Sequence, residues 1–305
     1  MRSKIMIPAA LAALGLAFSP TAAAADEPVE GPLRESVGAE AGHAPLNSST
    51  CYYYFDDSPE AWWIVSGDWD GDGDDTPGIA YDNGSSLRWF LWNENASGPV
   101  DHEFGYGSTG YIPVVGDWNG DGRDTVGITR VFGTAMRWQL RNDISSGPAD
   151  YAFSYGSFGY WPVTGDWNDD GRDTIGIARA YSGGVLRWQL RNSNSAGSAS
   201  NIFNFGRDTD WPIVGDWNND GRDGIATVRP TDSGEYRWQL RNSLVSGNPT
   251  HVFNYGINDS CVVPGDWDGA GGDSPGFVYV DADNWFVWEL RNSRSAGGPD
   301  YWFQL

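Results

Sequence analysis

Residues 116–124 read Gly-Asp-Trp-Asn-Gly-Asp-Gly-Arg-Asp, and the Gly-Asp-Trp core of this stretch recurs through the chain. The other copies of the core begin at Gly67, Gly165, Gly215 and Gly265, so successive copies are 49, 49, 50 and 50 residues apart. A period this regular indicates one structural unit repeated five times, and periods of about 20–50 residues are typical of solenoids, propellers and other repeat arrays.

The second copy shows what surrounds the motif in each unit. An apolar run ends in Gly-Asp-Trp, and a β-branched run follows at 125–130. An alternating segment at 136–141 and an aromatic segment at 150–155 complete the unit. Four short segments between turn residues, without helical periodicity, predict four strands. We therefore predict an all-β fold, a five-bladed β-propeller of four-stranded blades over residues 50–305. An open array is the alternative, but it would leave long strand edges unpaired.

Two sets of tryptophans and one set of arginines recur at fixed positions in the units. Residues repeated in every blade are more often packing residues than ligand contacts, so the tryptophans predict the core between blades, and the arginines predict polar contacts between blades. The tryptophans are Trp69, Trp118, Trp167, Trp217 and Trp267, with Trp89, Trp138, Trp188, Trp238 and Trp288; the arginines are Arg141, Arg191, Arg241 and Arg291.

The two cysteines, Cys51 and Cys261, lie at opposite ends of the repeat array. Cys51 opens the run 51–55, which resembles the fourth strand of a unit, and Cys261 lies in the last unit. An even cysteine count in an exported chain predicts a disulfide. We expect this bond to hold 51–55 near the closure of the ring; two buried free thiols are the alternative.

The first residues carry export signals. Residues 1–25 have two basic residues, an apolar stretch and a run of alanines, which predicts a secretory signal peptide. Residues 26–49 lack periodicity and read as a flexible acidic tether. After residue 25 the chain has 41 acidic residues and 17 arginines, so its net charge is 17 − 41 = −24. We expect a secreted protein that binds no nucleic acid and, because no later stretch is long and apolar enough, does not insert into membranes.

Each Gly-Asp-Trp core opens an acidic loop with the oxygen spacing of a calcium site. Side chains at loop positions 1, 3 and 5 can converge on one cation because glycine at position 6 permits a sharp turn. No loop contains His or Cys, which argues against zinc and copper. Tight turns without metal are the alternative. The predicted ligands at these positions are Asp68, Asp70, Asp72, Asp117, Asn119, Asp121, Asp166, Asn168, Asp170, Asp216, Asn218, Asp220, Asp266 and Asp268. Ala270 replaces the third acid of the last loop, so we expect four strong Ca²⁺ sites and a fifth that is weaker or absent.

These loops resemble the FG-GAP/VCBS repeats of integrin-type propellers and of many exported bacterial proteins. The resemblance covers residues 51–305 and implies a propeller, of bacterial origin, with calcium held between the first two strands of each blade. The family commonly has an acid at loop position 9, whereas this chain has Thr, Gly or Ser there and an aspartate at position 8. We therefore assign the final ligand to position 8, occupied by Asp75, Asp124, Asp173, Asp223 and Asp273. Calcium at such loops is expected to stabilise the fold rather than to catalyse a reaction.

Three functions are compatible with this propeller. A multivalent lectin-like protein that binds glycans or cell-surface polysaccharide is favoured, because the chain is similar in blade number and repeat length to five-bladed lectins of the tachylectin kind. The candidate sugar-binding residues lie in the crossovers between blades: Trp63, Tyr111, Tyr160, Trp161, Trp211 and Asp210. A scaffold for a secreted protein partner is the alternative. Glycoside hydrolysis is less favoured, because the acids repeat as metal ligands do, and no nucleophile or metalloprotease motif is present.

Overall fold

The computed structural model describes residues Cys51–Tyr53 and 60–305; the proposed signal peptide and tether lie outside this part, as do residues 54 and 55 of the first strand-like run. The described residues form strands and no helices. Blade 1 is β2 (Ala61–Gly67), β3 (Thr76–Asp82), β4 (Ser86–Leu91) and β5 (His102–Ser108). Blade 2 is β6 (Ile112–Gly116), β7 (Thr125–Phe132), β8 (Ala135–Leu140) and β9 (Tyr151–Ser157).

The remaining blades repeat this order. Blade 3 is β10 (Trp161–Gly165), β11 (Thr174–Tyr181), β12 (Val185–Leu190) and β13 (Asn201–Arg207). Blade 4 is β14 (Trp211–Gly215), β15 (Gly224–Pro230), β16 (Glu235–Arg241) and β17 (His251–Ile257). Blade 5 is β18 (Cys261–Gly265), β19 (Ser274–Val280), β20 (Phe286–Leu290) and β21 (Tyr301–Gln304).

Each blade is an antiparallel meander of four strands that are consecutive in the chain. The first strand of every blade is the innermost, since β2, β6, β10, β14 and β18 contact one another in turn and β18 contacts β2. The prediction of a five-bladed β-propeller is therefore confirmed. Among the described residues, none forms a helix with the length and hydrophobicity that a bilayer crossing requires.

An additional strand, β1 (Cys51–Tyr53), pairs with β2 on the edge opposite β3. Cys51 forms a disulfide with Cys261 at the start of β18. The Tyr53 hydroxyl donates to the Val278 carbonyl and accepts the backbone N–H of Cys261. The predicted disulfide at the seam between the first and last blades is confirmed. Although this run resembles an outer strand in sequence, it pairs with the innermost one.

The repeated tryptophans form the core between the blades, as predicted. Those of the third strands, such as Trp89 and Trp138, are fully buried. The Trp89 indole donates to the Tyr106 carbonyl (2.9 Å), and the Trp138 indole donates to the Tyr155 carbonyl (2.8 Å). In blades 1 to 4 the indole of the third strand therefore fills a core and also donates a hydrogen bond to the outermost strand of its own blade.

The repeated arginines do not join blades, so that prediction is wrong. Arg141 donates from Nε to the Ser145 carbonyl (2.7 Å) and from Nη1 to the Pro148 carbonyl (2.7 Å), both in the following loop of the same blade. A Cβ at Gly147 would lie 2.6 Å from the Arg141 guanidinium. The Arg141 side chain therefore ties the following loop to the end of the third strand within one blade, and Gly147 leaves space for the guanidinium group.

Candidate functional site

The five acidic loops all lie at one end of the propeller, because each joins the first and second strands of its blade. We call this the loop end. The hairpins between second and third strands, and the crossovers between blades, lie at the opposite end, which we call the crossover end. The predicted calcium ligands and the predicted sugar-binding residues are therefore on opposite ends of the molecule.

The first aspartate of each loop organises the loop backbone. The Asp117 carboxylate accepts the N–H of Gly120 at Oδ1 (2.7 Å) and the N–H of Gly122 at Oδ2 (2.8 Å). Gly122, at position 6, has φ of 83°, a backbone conformation that strongly favours glycine. The Asp166 and Asp216 carboxylates accept the equivalent glycine N–H, in each case at 2.8 Å. The first aspartate therefore stabilises the turn by the same hydrogen bond in loops 2, 3 and 4.

Oxygens converge most clearly in the first loop. Carboxylate oxygens of Asp68, Asp70 and Asp72 all lie within 4.8 Å of one another. Burial raises the pKa of Asp68, and two backbone N–H groups that it accepts oppose this rise. Burial and a hydrogen bond to Asp72 raise the pKa of Asp74 to about 7. The same hydrogen bond lowers the pKa of Asp72. One hydrogen bond therefore links Asp72 to Asp74, and a divalent cation held by Asp68, Asp70 and Asp72 would offset the repulsion among these carboxylates.

Loops 2, 3 and 4 have asparagine at position 3. The amide Nδ2 of Asn119, Asn168 and Asn218 donates to the carboxylate at position 5, over 2.8–2.9 Å. The amide nitrogen at position 3 therefore faces the position-5 carboxylate in each of these three loops. The position-5 acceptors are Asp121, Asp170 and Asp220. In loop 5, Asp266 and Asp268 remain without a third acid because Ala270 takes its place.

The aspartates at position 8 contact the neighbouring blade. Oδ2 of Asp124 accepts the N–H of Asp68 (3.1 Å), and the N–H of Asp124 donates to the Asp68 carbonyl (2.8 Å). The same reciprocal pair occurs at all five interfaces, which closes a ring that we call the aspartate belt. The pairs are Asp75–Asp266, Asp124–Asp68, Asp173–Asp117, Asp223–Asp166 and Asp273–Asp216. Their assignment as calcium ligands of their own loops stays a prediction, and the belt was not anticipated.

The belt explains the glycine of the repeated motif. A Cβ at Gly116 would lie 2.7 Å from Oδ2 of Asp173, and a Cβ at Gly165 would lie 2.6 Å from Oδ2 of Asp223. Real Cβ atoms essentially never come this close to another heavy atom. Glycine is therefore required where the belt carboxylate of the next blade approaches.

The belt carboxylates line a cavity of about 90 Å³ on the axis of the ring. Burial raises the pKa of Asp173 and of Asp273 to about 7. Burial, with repulsion from other belt carboxylates, raises the pKa of Asp75, Asp124 and Asp223 well above the usual range. Desolvation disfavours the charged form of each group, so the belt retains protons at a pH where exposed aspartates are fully ionised.

Three of the predicted sugar-binding residues are buried, which corrects their assignment. Trp63 and Trp211 are only 7 % and 9 % exposed because they pack in the cores between blades. Asp210 is 1 % exposed. Both oxygens of its carboxylate accept a hydrogen bond from Nη1 of Arg229, each over 3.0 Å. A ligand can reach very little of these three side chains.

The other three candidates, Tyr111, Tyr160 and Trp161, are partly exposed. The Arg130 guanidinium lies over the Tyr111 ring, 5.5 Å from its centroid. The Arg179 guanidinium lies over the Tyr160 ring at 5.2 Å. These two arginines are not among the site residues predicted from the sequence. The sequence feature that could have identified them is an Arg that recurs five residues after the start of the second strand in blades 2, 3 and 4.

No protein-family model matches this chain, and no curated protein matches it.

Proposed function

We propose that this protein is a secreted, calcium-stabilised member of the FG-GAP/VCBS propellers that binds carbohydrate at its crossover end. The observation that carries the binding proposal is the partly exposed group of Tyr111, Tyr160 and Trp161, beside guanidinium groups that donate hydrogen bonds. Sugar sites combine an aromatic surface with a few polar groups in this way. Repeated blades would give several weak sites, whose combined avidity exceeds each affinity.

Calcium has a structural role in this proposal. Converging oxygens in the first loop and the high acidic charge of the chain favour a cation that ties the hairpin and offsets repulsion. Anything that binds only the folded state stabilises it. EDTA should therefore lower the melting temperature, and added Ca²⁺ should restore it, whereas Mg²⁺ should restore less because its octahedral geometry is stricter. A melting curve that is unchanged after exhaustive EDTA dialysis would refute this role.

Glycan-array screening in calcium tests the binding proposal. The variant Tyr160→Ala, Trp161→Ala should lose glycan signal while its melting temperature stays within a few degrees of the parent. Trp302→Ala is the matched control, because Trp302 is also exposed (56 %) but lies on an outermost strand, away from the crossovers. Equal loss in both variants, or no signal on any glycan, would contradict the proposal.

A protein-binding scaffold is the second candidate, and one observation favours it. Ile202, Val252 and Trp302 occupy equivalent positions on the outermost strands of blades 3, 4 and 5, paired with Gln189, Gln239 and Glu289. All three are exposed apolar residues. A pull-down from culture supernatant that fails when these three residues become serine, with no glycan binding by the parent, would support the scaffold over the lectin.

A further inference from the structure

Two arginines lie side by side on one face of blade 3. Arg179 and Arg187 are directly paired across β11 and β12, so their side chains share a face. Both guanidinium groups lie over the Tyr181 ring, at 5.0 Å and 3.4 Å from its centroid, and that of Arg179 also lies over Tyr160. We call Tyr160, Arg179, Tyr181 and Arg187 the blade-3 cleft.

Blade 2 repeats the arrangement. Arg130 and Arg137 are directly paired across β7 and β8. Arg130 lies over Tyr111, as described above, and the Arg137 guanidinium lies 4.2 Å from the centroid of the Phe132 ring. We call Tyr111, Arg130, Phe132 and Arg137 the blade-2 cleft. An aromatic ring therefore holds each guanidinium by a cation–π contact, which leaves its in-plane N–H groups available as donors.

Paired cations on adjacent strands are unfavourable unless something compensates them. The chain has more than twice as many acids as arginines, yet these four arginines make no ion pair within the described part. The ion pairs found there use Arg88, Arg141 and Arg229 instead. Nε of Arg179 donates to the Gln189 amide oxygen (3.2 Å), and Nε of Arg187 donates to the Asn204 amide oxygen (3.1 Å). Neutral acceptors therefore orient the two guanidinium groups of blade 3 without cancelling their charge.

Blade 4 shows what fits this position. Asp210 stands where blade 3 has Tyr160, and Arg229 stands where blade 3 has Arg179. The Asp210 carboxylate fills the place and accepts Arg229 with both oxygens. Carboxylate and other oxyanions are the groups that a planar guanidinium binds best. In blade 4 an internal carboxylate occupies the cleft, whereas in blades 2 and 3 the equivalent arginines lack one.

We propose that the blade-2 and blade-3 clefts bind the oxyanion groups of an acidic polysaccharide, so that the glycan this protein takes is anionic. This inference rests on the proposed carbohydrate binding and names its substrate class. The carboxylate of a uronic acid, or the sulfate of a sulfated sugar, would lie across each arginine pair. Phe158, which is half exposed and two residues before Tyr160, offers an apolar surface beside the blade-3 cleft.

Calorimetric titration in buffer with fixed calcium tests this. The probes are tetragalacturonate, the neutral galactose tetramer obtained by reducing its carboxyls, and a sulfated galactose tetramer. Tetragalacturonate should bind with two sites per chain. Arg179→Gln with Arg187→Gln should remove one site, and Arg130→Gln with Arg137→Gln should remove the other. All four substitutions together should weaken binding at least tenfold. Arg237→Gln is the matched control, since Arg237 has the same register in blade 4 and should leave binding unchanged.

Each outcome separates the inference from the proposed function. Equal affinity for the neutral and the acidic tetramers would overturn the inference and keep carbohydrate binding. Unchanged acidic binding after all four substitutions, with parental melting curves, would overturn it too. Binding of none of the three tetramers, together with no signal on the glycan array, would overturn both. Preference for the sulfated over the uronic probe, lost in the fourfold variant, would support the inference and identify sulfate as the bound group.

Discussion

The aspartate belt yields a quantitative test, because replacing one belt carboxylate by an amide changes charge but not shape. The substitution is Asp173→Asn in calcium-free protein. The folded-state pKa of Asp173 is about 7 against an ordinary 3.8. At ~1.4 kcal/mol for each pH unit, keeping this group ionised destabilises the fold by up to ~4 kcal/mol at pH 8. The asparagine oxygen can still accept the Asp117 N–H that Oδ2 now accepts at 2.9 Å.

The pH dependence of this effect follows from proton binding. Because the folded-state pKa is raised, the folded state binds more protons than the unfolded state between about pH 4 and pH 7. Stability therefore falls as pH rises through this range, and no cost remains below pH 4. The Asp173→Asn variant should match the parent near pH 3.5, exceed it increasingly towards pH 7, and retain the full gain at pH 8.

Urea unfolding in EDTA at pH 3.5, 5.5 and 8 measures these differences, and Asp173→Ala supplies the contrast. Alanine removes the acceptor as well as the charge, so the Asp117 N–H is left without a partner, at a cost of about 1–3 kcal/mol. This loss should offset part of the gain at pH 8 and appear alone at pH 3.5. If Asp173→Asn lowers the free energy of unfolding at pH 8 relative to the parent, the belt carboxylate is stabilising when charged and the reasoning is wrong.

Three further perturbations follow from the structure. Gly165→Ala would place a Cβ 2.6 Å from Asp223 Oδ2 and should lower the free energy of unfolding by ~1–3 kcal/mol. Gly98→Ala is the control, because no atom lies near its Cβ, and it should leave stability unchanged. Equal melting temperatures for the two variants would contradict the close approach. Replacing Cys51 and Cys261 together by serine opens a crosslink that spans 210 residues and should lower the free energy of unfolding by up to ~5 kcal/mol, to be read from denaturant midpoints against the oxidised parent. Ala270→Asp supplies the missing third acid of loop 5 and should raise the calcium stoichiometry by one in calorimetry, whereas an unchanged stoichiometry would show that this loop fails for another reason.

The architecture was predictable because it depends on sequence features that repeat at a fixed spacing. The fixed spacing of the Gly-Asp-Trp cores and the alternation around Trp138 follow from local rules for strands and turns, and so does the pairing of Cys51 with Cys261. The belt was not predictable in the same way. It joins Asp124 to Asp68 across an interface that only the closed ring creates, so no spacing along one unit reveals it.

The candidate binding residues show the same division between local and three-dimensional information. Trp211 and Tyr160 are both aromatic residues of a crossover, and the sequence alone treats them alike. The fold buries Trp211 against Tyr236 and leaves Tyr160 partly exposed beneath Arg179. Strand register decides which crossover residue faces the core, and register becomes visible only when all four strands of the blade are paired.

Within the described residues each blade is built from its own consecutive strands, which affects how such a ring can change size. Duplication of one unit of about 50 residues would add a complete sheet, because every strand arrives with its own partners. The new unit would also bring one belt carboxylate, which accepts a backbone N–H of one neighbouring blade, and one backbone N–H, which donates to the carboxylate of the other. The ring of hydrogen bonds would therefore stay closed. Blade number in this architecture is therefore open to simple recombination, and only the wedge angle of the tryptophan-filled interfaces limits it.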